Sequence, residues 1–195
     1  IIIGKTHCPQ NKALYSGQLF NSTRIFESNK DIRTHFFSLE NRLPVNAWNK
    51  LISRKFLLDK NLFFKKGIIH EDELWIFFVI QNLNTAICLN QVTYIHYINP
   101  GSIMTSSSKE KKNDSWGIIL KEVFSNIDSL LFKAQFIKYL NRFNTLFPHI
   151  TKKQKSLYLD VWQSIACCAK RNHHPLLAAS LICHRAFFKI LRGHG

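Results

Sequence analysis

Acidic residues are scarce in this chain. Twelve Asp and Glu stand against 27 Lys and Arg in 195 residues, a formal net charge of +15. The excess is uneven: residues 1–100 hold 12 Lys/Arg and 7 Asp/Glu, and residues 101–195 hold 15 and 5. Such a balance points to an anionic neighbour: a membrane surface, a nucleic acid or a phosphorylated substrate. Long apolar runs are lacking too. The best, 176–183, ends at His184-Arg185 and is far short of the ~20 residues that span a bilayer. No CxxC occurs among the five cysteines (Cys8, Cys88, Cys167, Cys168 and Cys183). Their odd number and irregular spacing fit reduced, buried thiols of a cytoplasmic protein better than a disulfide framework. The pairs Cys167-Cys168 and His173-His174 are adjacent in sequence, so on helices they point to different faces and do not make a zinc set. No nucleic-acid-binding motif and no internal repeat is present. The opening Ile1-Ile2-Ile3-Gly4 reads as a buried strand entered halfway, and the expectation is a piece of a longer chain.

What is present is 46% hydrophobic and spread along the whole length, enough for one good core and too much for disorder. The pattern predicts a mixed first part. It has a strand at 1–3, a helix at 29–39, a short helix at 47–53 capped by Asn46 and extended by 54–59, and a helix from the acids at 71 to about 83. Two strands follow at 85–89 and 92–97, with Asn90-Gln91 between them. Residues 105–114 are polar and charged and read as a linker. Beyond it lie four helices: one capped by Ser115 and running to 132, one at 134–147 ending before Pro148, one opened by Thr151-Lys152-Lys153-Gln154 with capping-box spacing, and one from Pro175. The expected organisation is therefore 1–105, a linker at 106–114, and a helical region at 115–195. In the last helix Arg185, Lys189 and Arg192 share one face, which suits an anionic lipid surface as well as a solvated flank.

The scarce acids are concentrated at one place. Glu71-Asp72-Glu73 holds three of the twelve, preceded by Gly67 and His70 and followed by Leu74-Trp75-Ile76-Phe77-Phe78. Adjacent carboxylates repel one another. The first turn of a helix relieves that repulsion, because unbonded N–H groups and the dipole favour anions there. The bland reading is acids that merely complement the dipole. The sharper reading is a general base, which needs an ionised carboxylate in a partly desolvated place. Two further blocks flank the cluster: Trp48-Asn49-Lys50-Leu51-Ile52-Ser53-Arg54-Lys55-Phe56-Leu57 upstream, and Tyr94-Ile95-His96-Tyr97 with Gly101-Ser102-Ile103-Met104 downstream.

In this order the three blocks, over about residues 45–105, resemble the C-terminal half of the catalytic domain of family 2 glycosyltransferases. These are the inverting GT-A type of bacterial polysaccharide pathways. The resemblance implies an α/β (or α+β) remnant of a GT-A domain, followed by a mostly α-helical region. It implies hexosyl transfer from a nucleotide-diphosphate sugar to a hydroxyl of a saccharide or lipid-linked acceptor. Asp72 falls on the family's general base, and Glu71 would shape that site or bind acceptor hydroxyls. Trp48 and Trp75 could stack on a sugar face, although a tryptophan in an apolar run also reads as core. Asn49 and Lys50 could touch phosphate or acceptor. His70 could bind diphosphate or a metal, or simply precede the helix. His96-Tyr97 stands where the family often has an arginine, which puts a diphosphate contact there in doubt. Mg²⁺ or Mn²⁺ is implied for the full-length protein through a DxD motif in a nucleotide-binding half. This chain has no DxD, so neither the ion nor the donor is expected on it, and alone it is expected to be inactive. The expected location is cytoplasmic, possible peripheral contact with the inner face of the plasma membrane included. The rival reading is a basic helical binding module for anionic lipid or nucleic acid, without catalysis.

Overall fold

The computed structural model describes residues 1–11, 21–37, 44–129 and 131–173. Two compact units divide between Ile119 and Leu120. The first is a mixed α/β unit. Its strands are β1 (Ile2–His7), β2 (Arg24–Phe26), β3 (Lys50–Leu51) and β4 (Ala86–Ile95). They form one sheet in the order β2-β4-β1-β3. The central pair, β1 and β4, is parallel, and both edges are antiparallel. The helices of this unit are α1 (Asn29–Phe37), α2 (Arg54–Asp59), α3 (Glu71–Asn82) and the single turn α4 (Ile103–Ser106).

Helix α3 is the hub of the unit. After its acidic first turn it is apolar on nearly every side, and Leu74, Trp75, Ile76, Phe77, Val79 and Ile80 are all buried. A helix of that composition belongs inside a core. Trp75, Ile76, Val79 and Ile80 join Ile3 of β1, Ile32 and Phe36 of α1, and Ala86 and Cys88 of β4 in one cluster. The far end of α3 is closed from outside the helix. The Asn29 amide donates to the carbonyls of Ile80, Gln81 and Leu83 at 2.8, 3.3 and 2.7 Å, groups a helix C-terminus otherwise leaves unbonded. The sheet has one tight point. A Cβ on Gly4 would lie 1.8 Å from Thr93 Oγ1, so only glycine fits where β1 passes β4. The β1–β4 register shifts on either side of Lys5.

Several boundaries differ from the sequence expectation. The predicted helix at 47–53 does not form: Lys50-Leu51 is an edge strand, and α2 begins only at Arg54, with Ser53 as its N-cap accepting from the Phe56 N–H. The two strands predicted around Asn90-Gln91 are one strand, because pairing with β1 resumes at Val92 after a register slip across the polar pair. The expected linker is also largely helical. Helix α5 starts at Lys109 and ends at Asn126, so residues 109–114 are its first turns, and Asn113 and Ser115 are buried. Ser115 is consequently inside the helix rather than its cap. Its hydroxyl accepts from the Ile69 N–H and donates to the Lys111 carbonyl.

In the second unit, the end of α5 is followed by α6 (Phe132–Leu146) and α7 (Lys155–Arg171). Buried Val123, Phe124, Phe136, Tyr139, Phe143, Tyr158, Val161 and Ile165 are its core. A 3-10 turn at Phe147–His149 contains Pro148 and ends the α6 segment. The Thr151–Gln154 capping box forms as its spacing predicts and leads into α7. Among the described residues no helix is long and apolar enough to cross a membrane. The helix expected from Pro175, with its basic face of Arg185, Lys189 and Arg192, lies outside the described residues.

Candidate active site

The chain reaches the acidic cluster through two left-handed residues. Gly67 has φ +83°, and His70, the N-cap of α3, has φ +64°. The His70 side chain makes no capping bond; its ring lies beside Trp116, with centroids 5.4 Å apart. The first turn of α3 thus holds its acids without a side-chain cap. Glu71 is exposed, while Asp72 and Glu73 are half-buried. Asp72 Oδ1 accepts from the Glu73 N–H at 3.0 Å, which fixes the carboxylate at the helix start.

Burial raises the Asp72 carboxyl from the ordinary carboxylate range to about 6. The charges of Glu73 and then Glu71 push in the same direction, against the Glu73 N–H bond and the nearby Lys50 ammonium. Lys50, on edge strand β3, is the counterpart. Burial lowers it to about 7, opposed first by Asp72 and then by Cys88. Its Nζ donates to the Asn46 carbonyl and to Asn49 Oδ1. A carboxyl and an amine 22 positions apart thus feel one another's charge, and burial moves both proton affinities towards neutrality. Perturbation of this kind, from desolvation plus a specific charge partner, is concentrated at functional sites. Cys88 lies behind the pair on β4, and burial pushes its thiol up to about 11, so it stays a neutral thiol at neutral pH.

The aromatic candidates separate. Trp48 is half-buried and stacks on Tyr94, with centroids 4.3 Å apart at 26°, and on His96, at 5.4 Å and 17°. Tyr94 and His96 are two residues apart along the extended chain and so share a side of it. Trp75 is a correction to the expectation of a sugar-stacking ring. It is 6% exposed, its indole N–H donates to the Leu62 carbonyl at 3.2 Å, and Phe64 packs against it at 4.8 Å. Asn49 is likewise turned inward. Its amide donates to Gly4 O and Thr6 Oγ1, both at 3.2 Å, joining β3 to β1, and its own oxygen accepts from Lys50. It positions Lys50 rather than offering itself to a ligand. Glu73 belongs to the acidic cluster but carries no assigned role in the sequence reading, yet it is the acid that shifts Asp72 most. Its signal was the run of three adjacent acids.

Among the described residues no group of three or more His, Cys, Asp and Glu side chains gathers as metal ligands would, His70 included. The divalent cation that the resemblance implies thus has no ligand set among the described residues. Comparison with protein-family models, with curated proteins and with solved structures finds no match for this chain.

Proposed function

We propose that this chain carries the acceptor-side, proton-accepting part of an inverting sugar transferase of the GT-A type, with Asp72 as the general base. The observation that carries the reading is Asp72 itself: a half-buried carboxylate at a helix start, raised to about 6 and coupled to Lys50. At neutral pH it is largely ionised and still basic enough to accept a proton, which is where a general base works best. In the proposed reaction the acceptor hydroxyl gives its proton to Asp72 as its oxygen attacks the anomeric carbon of a nucleotide-diphosphate sugar. The bond from that carbon to phosphate oxygen breaks, and the nucleotide diphosphate leaves from the opposite face. Lys50 offsets a small part of the rise that burial and the neighbouring acids impose on Asp72. Trp48, held by Tyr94 and His96, is the ring assigned to the acceptor sugar, and Glu71, exposed beside the base, is assigned to its hydroxyls. Donor binding is assigned to no residue of this chain.

The test is Asp72→Asn in the native-length protein, assayed with nucleotide-diphosphate sugars against saccharide and lipid-linked acceptors. The reading expects transfer to collapse while acceptor binding and the circular dichroism spectrum persist. Transfer undiminished by Asp72→Asn would end it.

A further inference from the structure

The chain between α2 and α3 presents apolar side chains to water in a way that its own anchoring makes deliberate. Phe63 is 62% exposed, and Leu58 and Phe64 are 46% and 45% exposed. The backbone beneath Phe63 is pinned. Leu62 is buried, its N–H donates to the Leu57 carbonyl at 2.9 Å, and its own carbonyl accepts from the Trp75 indole. On the other side the Phe64 ring packs on Trp75. The tight turn before it is set by Asn61 at φ +52°, with its N–H on the Leu58 carbonyl. Phe63 therefore stands outward from a fixed base. Other large apolar side chains of this unit are exposed too, Leu51 and Ile103 among them, but Leu58, Phe63 and Phe64 lie within one short segment on an anchored backbone, and such a patch asks for an occupant.

The surrounding charge says which kind. Residues 54–66 include exposed Arg54, Lys55, Lys60, Lys65 and Lys66 against one acid, Asp59, which pairs with Lys55. Exposed apolar side chains flanked in sequence by long cationic ones match the boundary of an anionic bilayer. There the rings enter the acyl edge and the ammonium groups meet phosphate headgroups. A second copy of this chain would bring the same cations against themselves, and that repulsion argues against self-association through this face. We propose that the 54–66 segment is a lipid-docking surface that holds the first unit on an anionic membrane, with Phe63 as the inserting residue. The inference is independent of the sugar-transfer reading. Were both to hold, the acidic first turn of α3, five residues beyond Lys66, would work close to the lipid surface.

The experiment is sedimentation of the full chain with vesicles of phosphatidylcholine alone and of phosphatidylcholine with phosphatidylglycerol in equal parts. The wild type should sediment with the mixed vesicles and not with the neutral ones. Phe63→Ser, at a position whose side chain the core does not use, should weaken partition roughly tenfold or more. Lys60→Glu with Lys66→Glu should weaken it roughly twentyfold or more, since each removed lysine counts for about fivefold near such a surface. Phe63→Trp gives an independent reading: its emission should shift to the blue on mixed vesicles and be quenched by brominated acyl chains. Sedimentation that both variants leave unchanged would overturn the proposal, as would failure of the wild type to sediment with mixed vesicles. Lipid-free self-association abolished by Phe63→Ser would also overturn it, by naming a second copy as the occupant. Circular dichroism of each variant confirms that the fold is kept.

Discussion

Two helix starts in this protein are built on opposite principles. Helix α7 is entered through Thr151 and Gln154, whose reciprocal side-chain bonds satisfy two backbone donors at once. Helix α3 is entered through His70, a non-glycine residue in the left-handed region, and then through three adjacent carboxylates. The first arrangement maximises local stability. The second gives some of it up: the αL cap is strained, the acids repel one another, and burial works against ionised Asp72. Helix α6 is also entered through a left-handed residue without a side-chain cap, Leu131, so the three adjacent acids are what set the α3 start apart. Activity sites commonly carry such a stability deficit.

The comparison can be broken most forcefully at Asp72. Asp72→Asn should lower sugar transfer roughly a hundred- to ten-thousandfold in the native-length protein, measured as initial rate, with the unfolding midpoint unchanged or higher. An equivalent exchange in the α7 entry should leave transfer alone. Next in size is Trp75→Ala. If Trp75 is a core ring and not a sugar platform, the variant should lose ~3–5 kcal/mol in urea unfolding, whereas Trp48→Ala should cost much less stability and act on acceptor affinity.

The pH dependence of stability sharpens the same contrast. The folded Asp72 binds its proton more tightly than the unfolded one, so its contribution is fully present below the ordinary carboxylate range and is lost as pH rises through about 6. Because the carboxyl remains partly solvated, the loss should be on the order of 1–2 kcal/mol. Lys50 acts in the other direction: its folded value of about 7 lies below the unfolded one, so stability is regained as pH rises from about 7 towards 10.5. Wild-type protein should therefore show a shallow stability minimum between these windows. Asp72→Asn should remove its acid side, and urea midpoints collected across the pH range would reveal a flat profile if burial did not shift the two groups. Gln154→Ala should cost about 1 kcal/mol. Smallest of all, His70→Gly should gain at most about 1 kcal/mol by relieving the left-handed cap, read as a small rise in the thermal midpoint.

Much of the framework was legible in sequence because the decisive signals were local. The acids followed by an apolar run announced α3, and the Thr151/Gln154 spacing announced the entry to α7. The errors arose where tertiary structure overrode local pattern. Residues 109–114 have the composition of a loop, yet they are helical, with Asn113 buried. Asn90-Gln91 looks like a turn, yet it lies inside β4 as an irregularity, where the pairing with β1 steps from Ile3 opposite Cys88 to Lys5 opposite Val92. Trp75 read as a possible sugar platform, and only its bond to Leu62 and its burial show its place in the core. The coupling of Lys50 to Asp72 and the stack of Trp48 on Tyr94 join residues far apart in the chain, which no spacing rule reaches.

Gly4 has a consequence for inheritance. The space its missing side chain leaves is already filled by Thr93, so the two positions form one steric unit divided between β1 and β4. In descendants of this chain position 4 should stay glycine, or change only together with position 93 and the register slip beside it. A set of relatives in which the two vary independently would mean that the strands cross differently there.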